Sequence, residues 1–118
     1  QIEQVLLNII SNARDAMEGC SQKVLAIQTD LSQKGQQVEI RVSDTGIGMT
    51  TEEIEQIFNP FFTTKDSDKG IGLGLSISYR IIDAHQGRIK VKSKLNKGTT
   101  FIVSLPIYLV GGKRDDEN

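Results

Sequence analysis

The sequence contains no tryptophan, one cysteine, two prolines and only 5% aromatic residues. With Cys20 alone, an intrachain disulfide framework and a cysteine-based metal cluster are excluded, and a single thiol suits a reducing compartment. No apolar run approaches the ~20 residues that span a bilayer. The formal net charge is −1, without the basic excess expected of a nucleic-acid surface. Lys90, Lys92, Lys94 and Lys97 do cluster, but the first three alternate and read as the solvated face of one strand. Gln1 leads straight into an amphipathic pattern with neither an initiator Met nor a signal peptide, so the chain reads as an excised piece of a longer protein.

What remains is ordinary for one globular domain: 118 residues, 37% hydrophobic and 25% charged. Ile2, Val5, Leu6, Ile9, Ile10, Ala13, Ala16 and Met17 recur at steps of three and four and predict a helix with one buried stripe, ended by Gly19. A strand over Val24–Leu31 and a second in which Val38, Ile40 and Val42 point inward are joined by a turn at Lys34-Gly35-Gln36. Thr50 and Glu53 have capping-box spacing, with Met49 and Ile54 as a hydrophobic staple, so a short helix should run to about Phe58. No period fits Asn59 to Gly72, which reads as a long functional loop. A further helix from Leu73–Gly74 to His85-Gln86-Gly87 and strands Arg88–Ser93 and Thr99–Leu105 complete the core, and Pro106 should end the last strand. This order predicts a two-layer α/β sandwich (α+β in its layering), with one mixed sheet covered on one face by helices. Residues 1–110 form the predicted domain, and Gly111–Asn118 a frayed, disordered tail.

Four segments carry polar or glycine-rich chemistry. Asn8, Asn12 and Asp15 line one flank of the first helix; the triplet reads either as a solvated flank or, through the Asn12 amide oxygen, as a hard ligand for Mg²⁺ beside phosphates. Asp44-Thr45-Gly46-Ile47-Gly48 follows a strand. Its carboxylate suits either a tight turn or acceptance from the exocyclic amine of adenine. Gly70-Ile71-Gly72-Leu73-Gly74-Leu75 lacks the spacing of a dinucleotide fingerprint or a phosphate loop, yet it sets backbone N–H groups at a helix start, where phosphate is favoured; a ligand-free hinge is the other reading. Phe58-Asn59-Pro60-Phe61-Phe62-Thr63-Thr64-Lys65 holds three of the four phenylalanines beside a lysine that either reaches a phosphate or simply lies at the surface.

In order, these segments resemble the N, G1, F and G2 boxes of sensor histidine kinases. Lys97-Gly98-Thr99-Thr100-Phe101 is similar to a further glycine motif near that family's end. The resemblance runs from Gln1 to about Pro106, and the wording Asn-Ala-Arg-Asp-Ala and Pro-Phe-Phe-Thr-Thr-Lys looks most like the nitrogen-regulator type. It implies the Bergerat ATP-binding fold shared with gyrase, mismatch-repair and heat-shock chaperone ATPases, with a mobile lid over Phe58–Gly72.

The resemblance further implies that Asp44 binds the adenine amine, that Gly46 and Gly48 let the chain approach the base, and that Asn12 ligates Mg²⁺ at the phosphates. Asn8 and Asp15 would lie beside that grip, with Lys65 at the phosphates. Gly70, Gly72, Leu73, Gly74 and Leu75 would hinge the lid and present amides, and Thr99 would contact adenine through water. Related ATPases carry a Glu as general base one turn before the magnesium-binding Asn. Asn8 stands there instead and cannot serve as a base, which fits a kinase. Asp15 departs from the basic residue many kinases have, and Gln86 replaces the glycine usual after His85. His85 itself reads as a helix-end residue and not as a phosphoacceptor.

The implied activity is donation of the ATP γ-phosphate to a histidine on a separate dimerisation domain of the same parent protein, with a response regulator downstream. It also implies a cytoplasmic position, no direct membrane contact by this domain, and a parent either soluble or membrane-anchored. A stand-alone ATPase, a serine kinase of the anti-sigma-factor kind and a degenerate interaction module stay open as alternatives.

Overall fold

The computed structural model describes residues 1–32, 34–59 and 74–107. Within them the chain runs α1 (Ile2–Met17), β1 (Leu25–Leu31), β2 (Gln37–Asp44), α2 (Thr51–Gln56), α3 (Gly74–Ala84), β3 (Arg88–Lys94) and β4 (Gly98–Pro106). The expected tail and most of the expected lid, from Pro60 to Gly72, lie outside the described residues, as does Leu73.

The two-layer arrangement is as the sequence suggests, with one correction. The four described strands lie in the order β1-β2-β4-β3, and every neighbouring pair is antiparallel, so the described sheet is not mixed. The reason is topological. β2 and β3 run in the same direction, but β4 folds back from β3 and inserts between them, so the two parallel strands never pair.

Register explains the core. Val42 faces Phe101, Ile40 faces Val103, and Ile89 and Val91 face Val103 and Phe101 from the other side. Alternation therefore sends these side chains to one face of the sheet. They close around Val5 and Ile9 of α1, Ile57 after α2 and Ile82 of α3. Lys90 and Lys92 fall on the opposite face, as the alternation requires. Ile102 also falls there and yet is only 6% exposed. Its register partners are Arg41 and Lys90, whose long aliphatic stems flank it on both sides.

Local signals decide the helix ends. The Thr50 hydroxyl accepts from the Glu53 N–H (3.1 Å) while the Glu53 carboxylate accepts from the Thr50 N–H (2.9 Å), completing the capping box of α2. α1 ends at Met17, and Gly19 follows in the left-handed region at φ +85°. After α3 that conformation falls on Gln86, at φ +63°, where glycine would be unstrained. His85 closes the same turn, its Nδ1 lying 2.8 Å from the Ile81 carbonyl oxygen; that oxygen accepts, so the proton sits on Nδ1. No helix among the described residues is long and apolar enough to cross a membrane.

Candidate functional site

The end of β2 delivers Asp44 to the boundary between sheet and helices. It is 8% exposed and stands opposite Thr99, which is 6% exposed, in the β2–β4 ladder. Its Oδ1 accepts from the Gly46 N–H at 2.8 Å, so the tight Asx turn exists. Burial raises the Asp44 pKa above the ordinary 3.8, and the backbone N–H groups of Gly46 and Thr99 pull it back only in part. A carboxyl held at a desolvation cost in a folded interior marks a candidate functional position.

The loop after Asp44 is fastened on two sides. The Ile47 N–H donates to the Ala16 carbonyl oxygen of α1 (3.0 Å), the Asn96 N–H to the Ile47 carbonyl oxygen (2.6 Å), and the Met49 N–H to the Ser93 hydroxyl (2.9 Å). Both glycines of the loop are required by this packing. A Cβ on Gly46 would sit 2.6 Å from the Ala16 carbonyl oxygen, and one on Gly48, at φ +71°, would collide with the Lys94 carbonyl oxygen. Ser93 also donates to the Gly98 carbonyl oxygen (2.9 Å) and pairs with the Thr99 hydroxyl (2.7 Å), tying the β3–β4 turn to the start of β4 beside Asp44.

On α1, Asn8, Asn12 and Asp15 are all half-buried. Asp15 lies 3.7 Å from the Arg14 guanidinium. Asn8 is turned toward α3: its Nδ2 donates to the Gly74 carbonyl oxygen (3.0 Å) and to the Ser78 hydroxyl (3.1 Å). α1 therefore touches the Asp44 loop at Ala16 and the start of α3 at Asn8. At a rise of ~1.5 Å per residue these contacts are about 12 Å apart along the helix, and Asn12 lies midway.

The structure thus sets Asp44, Gly46, Gly48 and Thr99 together at the C-terminal end of α1, and Asn8 and Gly74 together at the middle of that helix, with Leu75 following in the first turn of α3. Lys65, Gly70, Gly72 and Leu73 lie outside the described residues. Sequence reasoning missed Ser78 and Ser93. Each is a serine among apolar or alternating neighbours, and that out-of-place hydroxyl is the signal that marks it. A groove beside the C-terminal half of α1 is lined by Ile10, Arg14, Asp15, Met17, Glu18, Lys23 and Leu25, so it shares Asp15 with the polar flank of that helix.

No group of three or more His, Cys, Asp or Glu residues able to hold a metal exists among the described residues. A divalent cation here would draw much of its oxygen shell from a bound ligand and water. The Asn12 amide suits that donor set, since Mg²⁺ is commonly held by few protein oxygens together with phosphates and water.

A family model described as histidine kinase-, DNA gyrase B- and HSP90-like ATPase matches residues 1–109. Sporulation kinase E of Bacillus subtilis is 42% identical over 107 residues, covering 91% of this chain and 14% of that protein. The catalytic domain of the histidine kinase ThkA superposes with a TM-score of 0.72 at 38% identity, over 89% of this chain and 66% of that one. Full-length ShkA, solved in complex with AMPPNP, gives a TM-score of 0.77 at 30% identity, over 89% of this chain and 21% of that one. The chain spans 14% of the length of sporulation kinase E and 24% of that of sporulation kinase C, both of Bacillus subtilis.

Proposed function

The chain belongs to the histidine kinase-, DNA gyrase B- and HSP90-like ATPase family, and on that premise we propose that it is the catalytic domain of a sensor histidine kinase. In this reading residues 1–110 bind Mg²⁺–ATP and offer the γ-phosphate to a histidine on a dimerisation domain of the same parent protein, with a response regulator downstream. The observation that carries the reading is Asp44, a buried carboxylate kept at a desolvation cost beside Thr99 and a glycine turn. The AMPPNP bound by ShkA, a relative with the same fold, supports the nucleotide part.

Asp44 accepts from the adenine amine, and its turn with Gly46 holds the carboxylate in place before any nucleotide arrives. Thr99, on the neighbouring strand, offers its hydroxyl to the same ring edge through water. Asn12 supplies an amide oxygen to Mg²⁺, which neutralises phosphate charge when bound. The first turn of α3, from Gly74 and Leu75, offers the backbone N–H groups of a helix start to the phosphates. Lys65, Gly70, Gly72 and Leu73, outside the described residues, would complete the grip as the family resemblance implies, and Asp15 would border it. Phosphoryl transfer asks for positioning and charge neutralisation more than for covalent help, so such a set suffices.

Asn8 argues against the stand-alone ATPase. Its amide has no proton-accepting nitrogen, and its Nδ2 is committed to Gly74 and Ser78, so it cannot activate water. The parent would work from the cytoplasm, either free or anchored in a membrane.

The test is reconstitution. The purified chain, mixed with Mg²⁺, γ-labelled ATP and the helical dimerisation domain of its parent, should label a histidine on that domain with an acid-labile, alkali-stable phosphoryl group. Label released as inorganic phosphate without transfer would instead favour the ATPase.

A further inference from the structure

We propose that Ser78, a residue of the α3 interior, is a positioning residue for the phosphate side of the site; this rests on the nucleotide reading above. Ser78 is 0% exposed. Its hydroxyl donates to the Gly74 carbonyl oxygen at 2.9 Å and lies 3.1 Å from Asn8 Nδ2. Since the hydroxyl proton is spent on Gly74, the oxygen can only accept from Asn8. The Gly74 carbonyl, an acceptor by nature, takes a second bond from Asn8 Nδ2 at 3.0 Å. On the other side, Asn8 Oδ1 accepts from Gln4 Nε2 at 2.9 Å. Every polarity in this network is therefore set, and Asn8 must present its NH₂ group to α3.

The geometry has a consequence for the grip. Asn8 sits one helical turn from Asn12 on α1, and Gly74 is the first residue of α3. The Asn8–Ser78–Gly74 triangle thus sets how far the first-turn amides of α3 stand from the Asn12 amide. Both sides of the phosphate grip are joined directly by Asn8 at the Gly74 carbonyl and a second time through one buried hydroxyl. A carboxylate at position 8 would turn an acceptor toward the Gly74 carbonyl, so the amide is required here for a reason independent of the missing base.

Serine is otherwise a poor choice at this position. Alanine is the better helix former and nearly the same size, so Ser78→Ala should leave global stability close to unchanged. Its effect should be local instead. Asn8 loses one acceptor and Gly74 one donor, and the first turn of α3 gains freedom.

The experiment uses the whole chain with Ser78→Ala, Asn8→Ala and the double variant. Calorimetry would follow a non-hydrolysable ATP analogue with Mg²⁺ and, separately, adenosine, and amide exchange would be followed by NMR. We expect Ser78→Ala to weaken the triphosphate analogue roughly tenfold, the scale of one buried hydrogen bond. Adenosine affinity, set at the Asp44 end, should hold. The two single variants should be non-additive, since they open one triangle. Exchange should quicken in the first turn of α3 and not in β2 or β4. Equal loss for both ligands, or no loss for either, would overturn the proposal, as would unchanged exchange in α3. A wild-type chain that binds no nucleotide, with exchange still quickened by Ser78→Ala, would uphold the pin while removing the nucleotide reading on which its use depends.

Discussion

Asp44 and Thr99 face each other across β2 and β4, both buried, and the Thr99 backbone N–H offsets part of the rise that burial imposes on the Asp44 pKa. The pairing places a desolvated acid and a hydroxyl side by side at the sheet end. Next to them, a Cβ on Gly98, at φ +104°, would collide with the Asp44 carbonyl oxygen, so the glycine of the turn before β4 is part of the same arrangement.

The raised pKa of Asp44 makes a signed prediction. The folded chain holds the Asp44 proton more tightly than the unfolded chain, whose value is near 3.8. The stability contribution is therefore complete below that pH and is lost as pH rises through the raised folded value. Asp44→Asn keeps the acceptor for Gly46 and removes the charge. In urea titrations from about pH 3 to pH 7, without nucleotide, the variant should gain on wild type as pH rises. A difference that stays flat with pH would show that burial imposes no cost on this carboxyl.

Gly48→Ala tests the fastening of the loop. The position combines φ +71° with a Cβ that meets the Lys94 carbonyl. Strain and overlap together should cost about 2 kcal/mol or more in urea unfolding.

Gln86→Gly should act in the opposite direction. Relief of the left-handed conformation is partly offset by the greater freedom of glycine in the unfolded chain and by loss of the contacts Gln86 makes. A net gain of about 0.5 kcal/mol is expected, read as a rise in thermal midpoint.

Thr50→Ala opens the capping box of α2 and should cost about 1 kcal/mol. Glu53→Gln, which can still accept from the Thr50 N–H, should cost less.

Much of this was legible in the sequence because it is local. The Thr50–Glu53 spacing named its capping box, and the alternation in β2 named the face on which Ile40 and Val42 reach the core. The ordered motifs gave the family, which the comparisons bear out. What stayed hidden depends on distant pairing. Nothing in the β4 pattern says that it inserts between β2 and β3, and so a mixed sheet was expected where the described one is antiparallel. The alternating apolar residues of β1 look like a core strand, yet Ile27 is 53% and Leu31 62% exposed, because periodicity reports a face and not what covers it. Ile102 fails in reverse, buried on the outer face between Arg41 and Lys90. At the site, Asn8 was read from its motif, but its partner Ser78 lies in another helix, and only packing brings the two together.

The most direct measurement is a calorimetric titration of the chain with a non-hydrolysable ATP analogue, with and without Mg²⁺, beside Asp44→Asn. The expected result is saturable one-to-one binding, strengthened by Mg²⁺ and lost in a variant that remains folded. Equal binding by the variant, or no binding by wild type at millimolar nucleotide, would contradict the assignment of Asp44 as the adenine acceptor.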